Sequence, residues 1–86
     1  MPEISRFYGI LIKMYFADHN PPHFHAEYGE YRAEYNIDSF AVMNGKLPRR
    51  AHMLVLVWAS IHHEELLANW ERAQQAERLK KIRPLH

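Results

Sequence analysis

Cysteine is missing from all 86 positions of this chain. Its absence excludes disulfide staples, thiolate nucleophiles and every Cys-ligated metal or cluster site, so a bound metal would have to use His, Asp or Glu. Glycine is scarce, and Gly9, Gly29 and Gly45 stand alone. No glycine-rich phosphate loop, His-Glu-x-x-His motif or nucleophile elbow can be built from them. A long hydrophobic run is lacking too: Met53 to Ile61 is broken by Ser60 and falls far below the roughly 18 residues a membrane span requires. The start Met1-Pro2-Glu3-Ile4-Ser5-Arg6 has neither the charged nor the greasy region of a secretory signal, so a soluble, cytoplasmic protein with no membrane partner is expected. Excess charge of one sign is also missing. Eleven Lys and Arg against ten Asp and Glu leave +1, which gives no global field of the kind that announces a nucleic-acid binder.

What the chain does hold is histidine, seven in all, on a background that is 48% hydrophobic. That apolar share fills one core, so residues 1–86 are expected to form a single domain. Composition changes near Pro48. Before it, β-branched and aromatic residues alternate with turn formers. After it runs a Pro- and Gly-free stretch rich in Ala, Leu, Glu, Arg and Gln. An α+β fold follows: an antiparallel sheet of three to four strands over 1–47, packed against one long C-terminal helix over 48–75, then a basic tail over 76–86.

Phe7 to Phe16 is dense in β-formers on both faces and reads as one central strand. Ala17-Asp18-His19-Asn20-Pro21-Pro22 is a loop stiffened by two prolines. From His23 to Asn36, a hairpin turning at Gly29-Glu30 fixes the register, setting Tyr28 opposite Tyr31 and His23 opposite Asn36. Each face is then chemically uniform. One carries Phe24, Ala26, Tyr28, Tyr31, Ala33 and Tyr35; the other carries His23, His25, Glu27, Arg32, Glu34 and Asn36. A short strand is expected at Phe40 to Met43, ended by Asn44-Gly45. In the helix, Leu54, Val57, Trp58, Ile61 and Ala68 should lie on the sheet. Met53, Leu56 and Leu67 point elsewhere and need a second cover, either the tail through Leu79, Ile82 and Leu85 or another copy of the chain in a homodimer.

The chemistry concentrates in Asp18-His19-Asn20-Pro21-Pro22-His23-Phe24-His25. Two residues apart on a strand, His23 and His25 share a face at about 6–7 Å between Cβ atoms, expected to be the wet one, with Glu34 opposite His25. One protonated and one neutral imidazole are the acid and base that RNA cleavage through a 2′-hydroxyl requires. On this reading His23 and His25 are catalytic, His19 and Asn20 position substrate, Glu34 orients His25, and no cofactor is needed. The alternative is a metal site with His19, His23 and His25 as ligands for a divalent metal such as zinc. Arg49 and Arg50 open the helix, where cations oppose the macrodipole by about 0.3–1 kcal/mol, so they are candidates to hold a phosphate. The cationic tail and the tyrosines read more simply as a solvated face and as core.

The strings Ile4-Ser5-Arg6-Phe7-Tyr8-Gly9, Met14-Tyr15-Phe16, Asp18 through Tyr28 and Gly45-Lys46-Leu47-Pro48-Arg49-Arg50 resemble the small bacterial proteins grouped as domain of unknown function 4160. The resemblance spans nearly the whole chain, and His-Asn-Pro-Pro-His-Phe-His is its most distinctive part. It implies a second small protein encoded alongside, the two viewed as a toxin and antitoxin, and it supplies no mechanism. The expectation is therefore a toxin-like component with an antitoxin-like partner, acting on RNA through the histidines; the alternative is a non-catalytic interaction or metal-binding module, such as a transcriptional regulator with its partner.

Overall fold

The computed structural model describes residues 3–86. Five strands, β1 (Glu3–Phe7), β2 (Ile10–Lys13), β3 (His23–Tyr28), β4 (Tyr31–Asn36) and β5 (Val42–Lys46), pair antiparallel in the order β1-β2-β3-β4-β5. Two helices follow, α1 (Arg49–Ile61) and α2 (His63–Gln74). The class is α+β, with more strands and a more broken helix than the sequence suggests.

Both differences have local causes. Tyr8 and Gly9 adopt φ of 51° and 80°, the left-handed pair that a two-residue hairpin requires, so the expected single strand folds into β1 and β2. The fifth strand runs past Asn44 instead of ending there, because Gly45 (φ 72°) sits inside it. A Cβ at Gly45 would stand 2.1 Å from the Arg32 carbonyl oxygen, so only glycine lets β5 approach β4 there. The helix bends at His62. There φ −110° and ψ 26° leave the helical range and separate the last bond of α1 from the first of α2.

The β3–β4 hairpin has the register that alternation specified, His23 with Asn36 through Tyr28 with Tyr31. Its aromatic face is the core. Phe24 stacks on Tyr35 at 5.3 Å and meets Trp58 of α1 edge-on at 5.9 Å, and Phe7 lies 5.4 Å from Trp58. The α1 residues that pack inward are Ala51, Val55, Trp58 and Ala59. Val57 and Ile61, expected on the sheet, face outward instead. A helix apolar on nearly every side between 53 and 61 does not specify its buried face by periodicity; packing against Phe7 and Phe24 decides it.

The tail supplies one cover. Trp58 Nε1–H donates to the Arg83 carbonyl at 2.9 Å, the Asn69 side chain bonds both the N–H and the C=O of Lys80, and Ile82 N–H donates to Ile4 O at 2.7 Å. Ile82 is buried, while Arg78, Lys80, Lys81 and Arg83 are exposed around it.

Tyr35 is fully buried, and its hydroxyl is hydrogen-bonded to His52 Nδ1 at 2.8 Å. Burial pushes its phenol up to about 12, because a phenolate there would lose its hydration. A raised value stabilises the fold below the unfolded phenol's range and withdraws that support as pH climbs from about 10 to 12. Denaturant midpoints measured between pH 9 and 12 should therefore fall more steeply for the wild type than for Tyr35→Phe.

Candidate functional site

Met14 is buried, and the chain beyond it turns back over the N-terminal end of β3. Ala17 N–H donates to Ala73 O at 3.1 Å, and the Gln74 side-chain amide donates to Asp18 O at 3.2 Å, tying the loop to the last turn of α2. The result is a lid across the first residues of β3, with Asp18 beneath it.

One oxygen of Asp18 gathers the cluster. Oδ2 lies 3.0 Å from His23 Nε2 and 3.2 Å from His25 Nε2. The other oxygen, Oδ1, accepts from the His19 backbone N–H at 2.9 Å and stands 3.0 Å from His19 Nδ1. Burial alone would raise the Asp18 carboxyl. The hydrogen bond from His25, the His19 amide and positive charge on His23 and His25 outweigh it and hold the group below the usual carboxylate value.

His23 has no solvent exposure. Its ring packs 5.3 Å from Trp70 of α2 and 5.1 Å from His25. Nδ1 lies 2.7 Å from the Pro21 carbonyl oxygen. A carbonyl only accepts, so Nδ1 carries the proton, and in the neutral ring Nε2 is a bare lone pair. That lone pair points toward a carboxylate. Although Oδ2 is near, Nε2 is buried without an aligned hydrogen-bond partner.

The expected wet face is therefore wet only in part. An acid–base pair on one substrate needs both imidazoles at the surface; the lid and Trp70 close over His23, leaving His25, half-buried with Tyr15 edge-on at 4.6 Å, as the ring a substrate could reach. Glu34 does pair with His25 in register. Its carboxylate, however, lies 3.9 Å from His23 Nε2, and the residue holding His25 is Asp18. His19 is 76% exposed at its side chain, and Asn20 is exposed on the loop. The His19 ring lies 5.2 Å from that of His23, but its nitrogens face Asp18 Oδ1 and fall outside the donor group formed by Asp18, His23 and His25.

Arg49 and Arg50 are not part of this site. Arg50 lines a cleft with Tyr8 and Tyr28, at the far end of β3 from His23, about 16 Å away along the strand. The side chain that sequence reasoning left without a role is Asp18. Its position in the His-rich string was visible, but the fold-back that aims it at two imidazoles depends on α2.

Beside the cluster, the polar face of the sheet forms a groove of about 290 Å³ walled by Tyr15, His25, Glu27, Arg32, Glu34 and Asn44. Of these, Glu27 is paired to the buried Lys13 at 3.0 Å. Among the described residues, Asp18, His23 and His25 offer donor atoms within 4.8 Å of one another. No helix of the described residues is long and apolar enough to cross a membrane.

A protein-family model described as "Domain of unknown function (DUF4160)" matches residues 9–71, a span that contains the whole cluster and α1. No curated protein and no solved structure matches the chain.

Proposed function

We propose that this chain, which belongs to the DUF4160 family, binds a divalent transition-metal cation between Asp18 Oδ2, His23 Nε2 and His25 Nε2. One observation carries the reading: a buried imidazole whose outer nitrogen is fixed by the Pro21 carbonyl presents an unpartnered Nε2 to a carboxylate oxygen 3.0 Å away. Two acceptors in that position repel unless a cation or a second proton lies between them. His25 Nε2, which hydrogen-bonds the same oxygen at 3.2 Å, would exchange its proton for the ion and supply the third donor.

The dimensions suit such an ion. Bonds of about 2.0–2.1 Å to nitrogen and oxygen place tetrahedral donors about 3.3 Å apart. Anchoring a ligand imidazole through its other N–H to a backbone carbonyl is the usual way its ring is aimed. Two His and one carboxylate suit zinc and also ferrous iron, with Glu34 near enough to act as a fourth donor or to accept from a bound water. This ligand set replaces the His19, His23 and His25 set with one in which Asp18 takes the place of His19.

Zinc added to metal-free protein should bind at one equivalent per chain and raise the melting temperature. At a free concentration 100 times Kd the gain is about 2.7 kcal/mol, or roughly 10–20 °C for a chain of this size. A chelator should reverse it, and His19→Ala should leave it intact. A melting temperature indifferent to zinc would count against the centre.

The groove supports a second reading, a toxin-like cytoplasmic protein with an antitoxin-like partner that acts on RNA. Its wall carries His25, the one cluster imidazole open to a substrate, together with the exposed Arg32, a phosphate-binding group. Growth arrest on expression without the neighbouring gene, abolished by His25→Ala and by Arg32→Ala, would support it; arrest unaffected by either change would remove it.

A further inference from the structure

We propose that α1 is the interface of a two-fold symmetric homodimer in which the helices of two copies pack antiparallel, centred on Val57. The inference does not rest on the metal site, to which α1 contributes no donor.

Met53, Val57 and Ile61 are 51%, 47% and 62% exposed. Spaced four residues apart, they form one stripe. The tail covers the Trp58 flank of the helix and leaves this one bare. A shallow groove of about 580 Å³ follows the stripe along Arg49, Arg50, Met53, Leu54 and Val57, and a second cleft joins Leu54 and Arg50 to Tyr8 and Tyr28. Tyr8 and Tyr28 are themselves exposed. Aliphatic side chains with Met, Tyr and Arg at the margin are the composition of a protein–protein contact.

Charge identifies the occupant. Arg49 and Arg50 lie at one end of the stripe, and α1 has no acidic residue in its first turn to offset them. At the other end, Glu64 and Glu65 open α2. α1 closes with His62 N–H donating to Trp58 O, and α2 opens with Leu66 N–H donating to His62 O, so Glu64, exposed three residues beyond Ile61, lies just past the end of the stripe across one bent residue. Arg50 and Glu64 are each seven positions from Val57; Met53 and Ile61 are each four. Among the described residues neither Arg50 nor Glu64 makes a salt bridge within its own chain.

The face is thus complementary to its own reverse, as an isologous interface requires. A two-fold axis through Val57 sets Arg50 of one copy against Glu64 of the other at both ends and stacks Met53 on Ile61 between them. A uniformly acidic protein or a nucleic-acid backbone would meet Arg50 favourably but would be repelled at Glu64.

Sedimentation at micromolar concentration tests the interface. The wild type should sediment as a dimer with or without chelator, and Val57→Asp should be monomeric with an unchanged circular-dichroism spectrum. Arg50→Glu should weaken association at least about tenfold by facing two like charges, and adding Glu64→Arg to the same chain should restore it. A monomeric wild type, a dimer insensitive to Val57→Asp, or a charge-exchanged double variant no tighter than Arg50→Glu would each overturn the proposal. Persistence of zinc binding in Val57→Asp separates failure of the dimer from failure of the metal centre.

Discussion

Trp58→Ala should lower the melting temperature by about 15–30 °C, the largest stability loss expected of any single substitution in this chain. Truncating a buried Trp costs about 3–5 kcal/mol through lost transfer energy and the cavity left behind. A domain of this length has about 4–13 kcal/mol in total. Trp58 is fully buried, joins Phe7 and Phe24 of the sheet to α1, and fixes the tail through its bond to the Arg83 carbonyl. Trp58→Phe separates these roles. It keeps an aromatic ring against Phe24 but loses the donor to Arg83, so it should cost about 1–3 kcal/mol and expose the tail to proteolysis before the sheet unfolds. A melting temperature for Trp58→Ala within a few degrees of wild type would mean that α1 does not pack on the sheet as described.

The parts of this fold legible in the sequence are those set by neighbours in the chain. The β3–β4 register could be read residue by residue, because one turn and two chemically distinct faces leave a single alignment. Tyr8 illustrates the opposite case: a strong β-former that takes a left-handed turn position, with Gly9 the only local signal. The outward face of α1 could not be read either, since Met53, Val57 and Ile61 are as apolar as Val55 and Trp58. The site divides along the same line. That His23 and His25 share a face follows from the period of a strand. That His23 is sealed, and that Asp18 is the group joining the two, depends on contacts with Trp70, Ala73 and Gln74, some fifty residues further along the chain.

Asp18→Ala should reduce zinc affinity at least about 100-fold, since it removes the one donor common to both histidines; changes merely adjacent to a metal ligand already cost about 10–100-fold. His25→Ala should have a similar effect, and His19→Ala little. The metal-free protein should respond differently. Asp18→Ala removes the acceptor of the His25 ring and of the His19 amide, a loss of about 1–3 kcal/mol. Asp18→Asn retains the shape and can donate its amide N–H to His23 Nε2, so its fold should be nearly as stable as wild type while zinc binding is still lost. That divergence distinguishes a metal centre from a structural ion pair. If Asp18 serves only to neutralise a protonated His23, neither protein binds zinc and the Asn variant is destabilised instead.

The most direct test is an anomalous-difference map from crystals of zinc-loaded protein, recorded on either side of the zinc absorption edge. One peak is predicted between Asp18 Oδ2, His23 Nε2 and His25 Nε2, about 2.0–2.1 Å from each, with His23 Nδ1 still bonded to Pro21. Crystals grown in excess zinc that show no peak there, or that place zinc only on an exposed histidine such as His86, would contradict the assignment.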